Sequence, residues 1–349
     1  MNEGLMHTLT HAARFCLPLV AGLVLMGRAG SQEQSAPPRV LASAAPTAAQ
    51  PTPAQAAPQP TPAQAAAQPP RPPSILAWSP KPAHPGPWVS PNRPRWELAR
   101  LLAAHRGNAS WSQAVVSDRD FTARYVSMAP GEMTKTQFYA DDRVFWVVQE
   151  GRIRVNIEGV EPFVATKGFL VQVPYRVPYR LATEGDSPAL RFEVSAARAV
   201  PLYPIGETPS PVSDRQYVKV SISGRGKYDD VNKPYIDFLR DIVQGGGRGG
   251  PFVKDDKTWA NIIRGPGQPP PPETNKGHFH VDFSEFWLIL EGQVDYLIEG
   301  QPLLTAKEGD VVYVPQGRWH RATSAGTGMA TRLAINPRPD GLHNYQPQE

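Results

Sequence analysis

Four side chains in the last third of the chain could share one metal ion: His278, His280, Glu285 and His320. The first three lie in the run Gly277-His278-Phe279-His280-Val281-Asp282-Phe283-Ser284-Glu285, and His320 follows a turn signal at Pro315 and Gly317. On a β-strand, residues two apart project to the same side, so His278 and His280 point together. Glu285 lies beyond a short turn and can return on the adjacent strand, while His320 comes from a distant one. Three imidazoles and one carboxylate make a mixed nitrogen and oxygen donor set. Such a set suits one divalent transition metal, Mn, Fe, Co, Ni or Zn, and does not suit an ion that demands oxygen alone. With four protein ligands, an octahedral ion keeps about two positions for water, substrate or dioxygen. The chain has only eight histidines, and three of them occupy these positions.

The elements that must carry these residues read as β-structure. From Trp111 onward, short runs of Val, Ile, Phe, Trp and Tyr alternate with Gly, Pro and Asp. The chain also repeats itself: Phe145-Trp146-Val147-Val148-Gln149-Glu150-Gly151 matches Phe286-Trp287-Leu288-Ile289-Leu290-Glu291-Gly292 at an offset of 141. The same shift carries Gly168 to Gly309, Val173 to Val314 and Pro174 to Pro315. Two copies of one β domain follow from this. Subtracting 141 from each candidate ligand gives Gln137, Tyr139, Val144 and Tyr179, with Arg176 in place of Gly317, so the first copy has no metal-competent set. Its expected role is to pack against the second copy; the alternative is an organic-ligand pocket lined by Gln137, Tyr139 and Tyr179.

At these residues the sequence resembles the two motifs of the cupin superfamily. His278, His280, Glu285 and Gly292 fit the first motif, and Gly309, Pro315, Gly317 and His320 fit the second; Pro272 and Ser324 depart from the pattern at positions that bind no metal in the family. The resemblance spans roughly residues 111–340. It implies a bicupin: an all-β chain with two jelly-roll barrels in tandem, at 111–200 and 249–340, and short connecting helices. It implies an enzyme acting on a small organic substrate, a metal-dependent dioxygenase or related oxidoreductase first. Mn-dependent decarboxylation, metal-assisted isomerisation and non-catalytic binding of a metal or small ligand are the alternatives. Strand parity from Glu285 places Trp287 inward, and parity from His320 places Arg318 inward, where a cation would favour an anionic substrate; a solvent-exposed charge at the barrel mouth is the other reading of Arg318. Asp282 reads as a turn residue and His343 as a surface residue.

The remainder of the chain constrains location and partners. Forty of the 349 residues are proline, concentrated before residue 95. Residues 1–30 read as an export signal around the apolar run Phe15 to Met26, which as a helix rises about 18 Å and falls short of a bilayer core of about 30 Å. Cleavage and a periplasmic or extracellular protein, without stable membrane insertion, are expected; an uncleaved N-terminal anchor is the alternative. Residues 31–93 form a Pro/Ala/Gln tract with a nine-residue repeat, expected to be a disordered spacer. Helices are expected from Pro94, carrying Leu98, Leu101 and Leu102 on one face within residues 94–110, and over Pro234 to Val243 in the connection 201–248. The glycines from Gly245 to Gly250 read as a flexible link. A formal charge of +4, spread without a basic stripe, speaks against nucleic acid, and the single cysteine, Cys16, excludes a disulfide scaffold within the chain. Jelly-roll edges would allow two copies to pair. Histidine ligation predicts that metal occupancy falls below about pH 6.5, where free imidazole takes up a proton.

Overall fold

The computed structural model describes residues 75–247 and 249–347. The expected signal at 1–30, and the spacer as far as residue 74, lie outside the described residues. No helix among the described residues is long and apolar enough to cross a membrane.

Both copies are antiparallel barrels made of a larger and a smaller sheet. In the first, the larger sheet runs Tyr235–Asp237, Phe169–Val173, Val144–Glu150, Ala189–Ala196, Phe121–Met128, Trp111–Ser117, and the smaller runs Phe163–Thr166, Arg152–Ile157, Tyr179–Thr183. The second repeats this order with Arg95–Trp96, Val311–Val314, Glu285–Glu291, Met329–Asn336, Trp259–Pro266, Gly249–Lys254. Its smaller sheet runs Leu304–Lys307, Gln293–Ile298, His320–Ala325, His278–Phe279, Asn344–Tyr345.

The strand Val144–Glu150 shows how the repeat builds two cores at once. Trp146 and Val148 enter the interior of the first barrel with Ile153, Val155 and Leu181. Phe145 and Val147, pointing the other way, enter a core shared with the second barrel. At the equivalent positions Trp287 and Ile289 fill the second barrel, while Phe286 and Leu288 enter the shared core. A strand buried on both faces must be apolar throughout, which is why these two segments lack the polar alternation of a half-exposed strand.

The strand and helix that precede each barrel are exchanged. Arg95 and Trp96 pair with Val312 and Val311 of the second barrel, although they lead into the first. Tyr235, Ile236 and Asp237 pair with Val171, Leu170 and Phe169 of the first barrel, although they lead into the second. Both helix expectations are corrected accordingly: the helices are Leu98–Ala104 and Phe238–Gln244, each starting after a strand. Sheet pairing claims the residues just after Pro94 and Pro234, and tertiary contact outweighs helix propensity there. The backbone N–H of Leu98 is capped by the Asp310 carboxylate of the second barrel at 3.1 Å. The spacer expectation is narrowed as well, because Lys81, Gly86 and Trp88 touch the second barrel, while Ile75, Leu76 and Trp78 stay exposed. Lys81 pairs with Glu299 at 2.8 Å, and the Trp88 indole donates to the Tyr313 carbonyl at 3.2 Å. Gly249 and Gly250 belong to a strand rather than to a loose link.

The exchange accounts for the repeated glycine. Gly168 and Gly309 both have φ above +80°, and an added Cβ would meet Leu239 in one case and Leu98 in the other. Gly309→Ala should therefore cost about 1–3 kcal/mol through backbone strain plus displacement of Leu98. Gly159→Ala, where φ is +81° and nothing lies within 4 Å, should show the strain alone. Thermal unfolding of the two variants checks this, and equal costs would contradict the contact.

Candidate metal centre

Each of the four candidate ligands is delivered by a different local device. His278 begins a two-residue strand and pairs directly with His320. Gly277, at φ +78°, precedes it against the His320 carbonyl, where no Cβ would fit. His280 follows that strand, and its ring stacks on Phe283 at 4.1 Å between centroids. Glu285 opens the next long strand opposite Val314, and His320 opens another opposite Ile298.

The ligand atoms of His278, His280, Glu285 and His320 all lie within 4.8 Å of one another, so one ion could touch all four. Glu285 Oε2 lies 3.1 Å from His280 Nε2, 3.2 Å from His320 Nε2 and 3.7 Å from His278 Nε2. The far nitrogens decide the protonation. His280 Nδ1 faces the Leu342 carbonyl at 3.1 Å and His320 Nδ1 faces the Arg318 carbonyl at 2.9 Å. A carbonyl only accepts, so Nδ1 carries a hydrogen and Nε2 is the nitrogen turned toward the carboxylate, which it meets with a lone pair whenever it carries no proton of its own. His278 Nε2 is buried without a hydrogen-bond partner. Lone pairs facing a buried carboxylate repel it unless positive charge sits between them, as protons or as a metal ion. The donor set fits an ion of the Mn to Zn series, with ring orientations already held by backbone carbonyls.

Burial pushes the His278 imidazole down from 6.5 to about 4, against the opposing pull of Glu285. Burial alone would raise the Glu285 carboxyl, but hydrogen bonds donated by the facing nitrogens of His278, His280 and His320 when these carry a proton outweigh it and hold the group well below the usual carboxylate range. Both shifts favour the form that binds metal: neutral imidazole and ionised carboxylate.

A cavity of about 410 Å³ opens beside the cluster, lined by His278, Glu285, Trp287 and His320 on one side and by Arg332 and His343 among others. Trp287 is buried, with its ring 5.4 Å from that of His320. Arg318, expected to face inward, does not line the cavity. It follows the turn at Gly317, so strand parity does not extend back to it. Its guanidinium stacks over Trp88 at 3.9 Å and donates to the carbonyls of Gly86 and Glu299, fastening Gly86 and Trp88 to the barrel. His343 is also corrected: its ring lies 4.8 Å from His278 and 4.6 Å from His280 instead of on the free surface. Asp282 sits in a turn, ion-paired with Arg338. No motif marks His343. Arg332 could have been found, because a charge interrupts the apolar run Met329-Ala330-Thr331-Arg332-Leu333-Ala334-Ile335. A larger hollow of about 770 Å³, lined by Asp229, Asp255 and Arg338 among others, contains none of the imidazoles.

At the equivalent positions of the first barrel the side chains engage one another. Tyr179 is buried, Trp146 stacks on it at 5.6 Å, and the Gln137 amide donates to its hydroxyl at 2.9 Å. Of the residues considered for an organic-ligand pocket, Gln137 and Tyr179 are thus engaged by the protein's own side chains.

Comparison with known proteins agrees with the barrel fold. The family model described as a cupin domain matches residues 268–336. The fold is similar to salicylate 1,2-dioxygenase from Pseudaminobacter salicylatoxidans, at 14% identity and a TM-score of 0.53 over 73% of this chain and 86% of that one. It is also similar to a variant of that enzyme in complex with gentisate, at 14% identity and a TM-score of 0.52 over 73% and 84%. Oxalate decarboxylase from Bacillus subtilis matches at 12% identity and a TM-score of 0.43 over 74% and 80%. No curated protein matches the sequence.

Burial of His278 revises the pH expectation at that ligand, whose own proton competes with a metal near pH 4 rather than 6.5. Metal content measured after dialysis should persist at pH 5.5 and fall as pH approaches 4; complete loss by pH 6 would contradict the shift. Residues 268–336 thus form a matched cupin domain, and the chain as a whole has a cupin-like fold of two paired barrels, with the His and Glu cluster in the second.

Proposed function

We propose that the second barrel binds one divalent transition metal through His278, His280, Glu285 and His320, and that the chain is an exported metal-dependent dioxygenase or related oxidoreductase acting on a small organic molecule. The observation that carries this reading is the cavity of about 410 Å³ lined by three of the four candidate ligands, His278, Glu285 and His320. A purely structural ion is closed in by its ligands, whereas here a small molecule could reach the ion. When bound, the metal would supply Lewis acidity and, if redox-active, electrons for chemistry with dioxygen.

The chain's own residues have separable tasks. The carbonyls of Leu342 and Arg318 hold two imidazoles in the ligating tautomer. Trp287 walls the cavity and shields the cluster from the barrel interior. His343 adds a fourth imidazole beside His278 and His280, with its Nδ1 facing the Gly341 carbonyl at 2.9 Å. Export is supported by the apolar run Phe15 to Met26 in the sequence.

The reading is tested by elemental analysis of protein purified without added metal, followed by dioxygen uptake with candidate substrates. Salicylate and gentisate, named for the similar structures, are the first to try. About one Fe or Mn per chain with substrate-dependent dioxygen uptake is expected. Turnover without dioxygen uptake would favour decarboxylation or isomerisation, and tight Zn without any turnover would favour a binding protein. His278→Ala and His320→Ala should each weaken metal binding at least about tenfold, and unchanged metal content in both would contradict the site.

A further inference from the structure

The two barrels keep one arginine in common but treat it differently. Arg191 in the first barrel and Arg332 in the second are related by the same offset of 141. The structure gives them the same register: Arg191 lies opposite Val126 and Val148, and Arg332 lies opposite Ile263 and Ile289. Val148 and Ile289 are themselves related by that offset. In the first barrel Arg191 is buried and paired with the Glu193 carboxylate at 2.8 Å. The residue equivalent to Glu193 in the second barrel is Ala334. Arg332 therefore has no internal acid: its Nε is buried without a hydrogen-bond partner, and it forms no ion pair among the described residues. It lines the cavity that also exposes His278, Glu285 and His320.

Arg332 is half-buried, with its Nε shut off from solvent and unpaired, and a desolvated N–H without an acceptor is costly. The barrel without the metal cluster has neutralised the position, and the barrel with the cluster has left it open. We propose that Arg332 is the subsite for the carboxylate of a small anionic substrate, which takes the place that the Glu193 side chain occupies in the first barrel. The inference rests on the proposed metal-dependent reading and adds the substrate class. A guanidinium fork matches a carboxylate in two parallel hydrogen bonds. One end of the substrate would be fixed at Arg332 and the rest directed toward the four-ligand cluster.

The test is calorimetric titration of the protein as purified, with its metal content determined on the same sample. The probes are oxalate, pyruvate, benzoate and salicylate, each compared with its uncharged amide, and inorganic phosphate as an unrelated anion. At least one carboxylate should bind, with its amide about tenfold weaker or more. Arg332→Gln should weaken that carboxylate by on the order of 30-fold or more with unchanged metal content. Ala334→Glu, which rebuilds the pair of the first barrel, should abolish carboxylate binding while Arg332 is still present, and it carries the test if Arg332→Gln does not fold. Arg332→Met should raise the melting temperature, an outcome a merely structural arginine would reverse. Carboxylate affinity unchanged in either of the first two variants, or Arg332-dependent binding of phosphate alone, overturns the proposal. So does a metal-filled protein that binds no carboxylate. A protein without metal counts against the proposed function instead. Arg332-dependent carboxylate binding in that sample would leave the subsite standing, and its absence would overturn both.

Discussion

A buried carboxylate facing three imidazole nitrogens cannot be held by lone pairs alone. His280 and His320 spend their N–H groups on the carbonyls of Leu342 and Arg318, which turns their remaining lone pairs toward Glu285 at 3.1 and 3.2 Å. Burial removes the water that would otherwise screen the repulsion. Positive charge at the centre is the simplest remedy, and a metal ion shared by all four groups provides it without protonating any of them. Much of the second barrel serves this condition: the turn at Gly277, the strand pairing of His278 with His320, and the C-terminal segment that brings Leu342 and His343 over the cluster.

The first barrel shows what the scaffold does when that condition is lifted. Gln137 and Tyr179 meet in a neutral hydrogen bond where His278 and His320 meet in the second. Trp146 stacks on Tyr179 and the interior is closed by aromatic volume. The shell persists because its other face is needed: Phe145, Val147 and Phe192 share a core with Phe286, Leu288 and Leu333 of the second barrel. The exchanged strands bind the two still further, since each barrel completes its larger sheet with residues that lead into the other. A barrel without an ion therefore remains part of the support for the one with the ligand cluster.

The ligand set and the doubled fold were legible in the sequence because both are periodic. His278 and His280 share a strand face, and a constant offset of 141 keeps turn glycines and apolar positions in step. The exchanged strands at Arg95–Trp96 and Tyr235–Asp237 were not legible, since two or three residues carry too little pattern to announce a partner more than sixty residues away. The role of Arg318 was misread because alternation was extended through the turn at Gly317, where it has no meaning. His343 was missed because its approach depends on the path of the chain after Pro339, which no local spacing encodes. Trp88 and its neighbours read as spacer by composition, although the indole and Lys81 find specific partners on the second barrel.

X-ray absorption at the metal edge of the protein as purified examines the shared ion most directly. The account predicts a first shell of three imidazole nitrogens and one carboxylate oxygen, with metal-to-ligand distances of about 2.0–2.2 Å and further light atoms completing the shell. A shell with one imidazole or none, or one composed of oxygen alone, would contradict it.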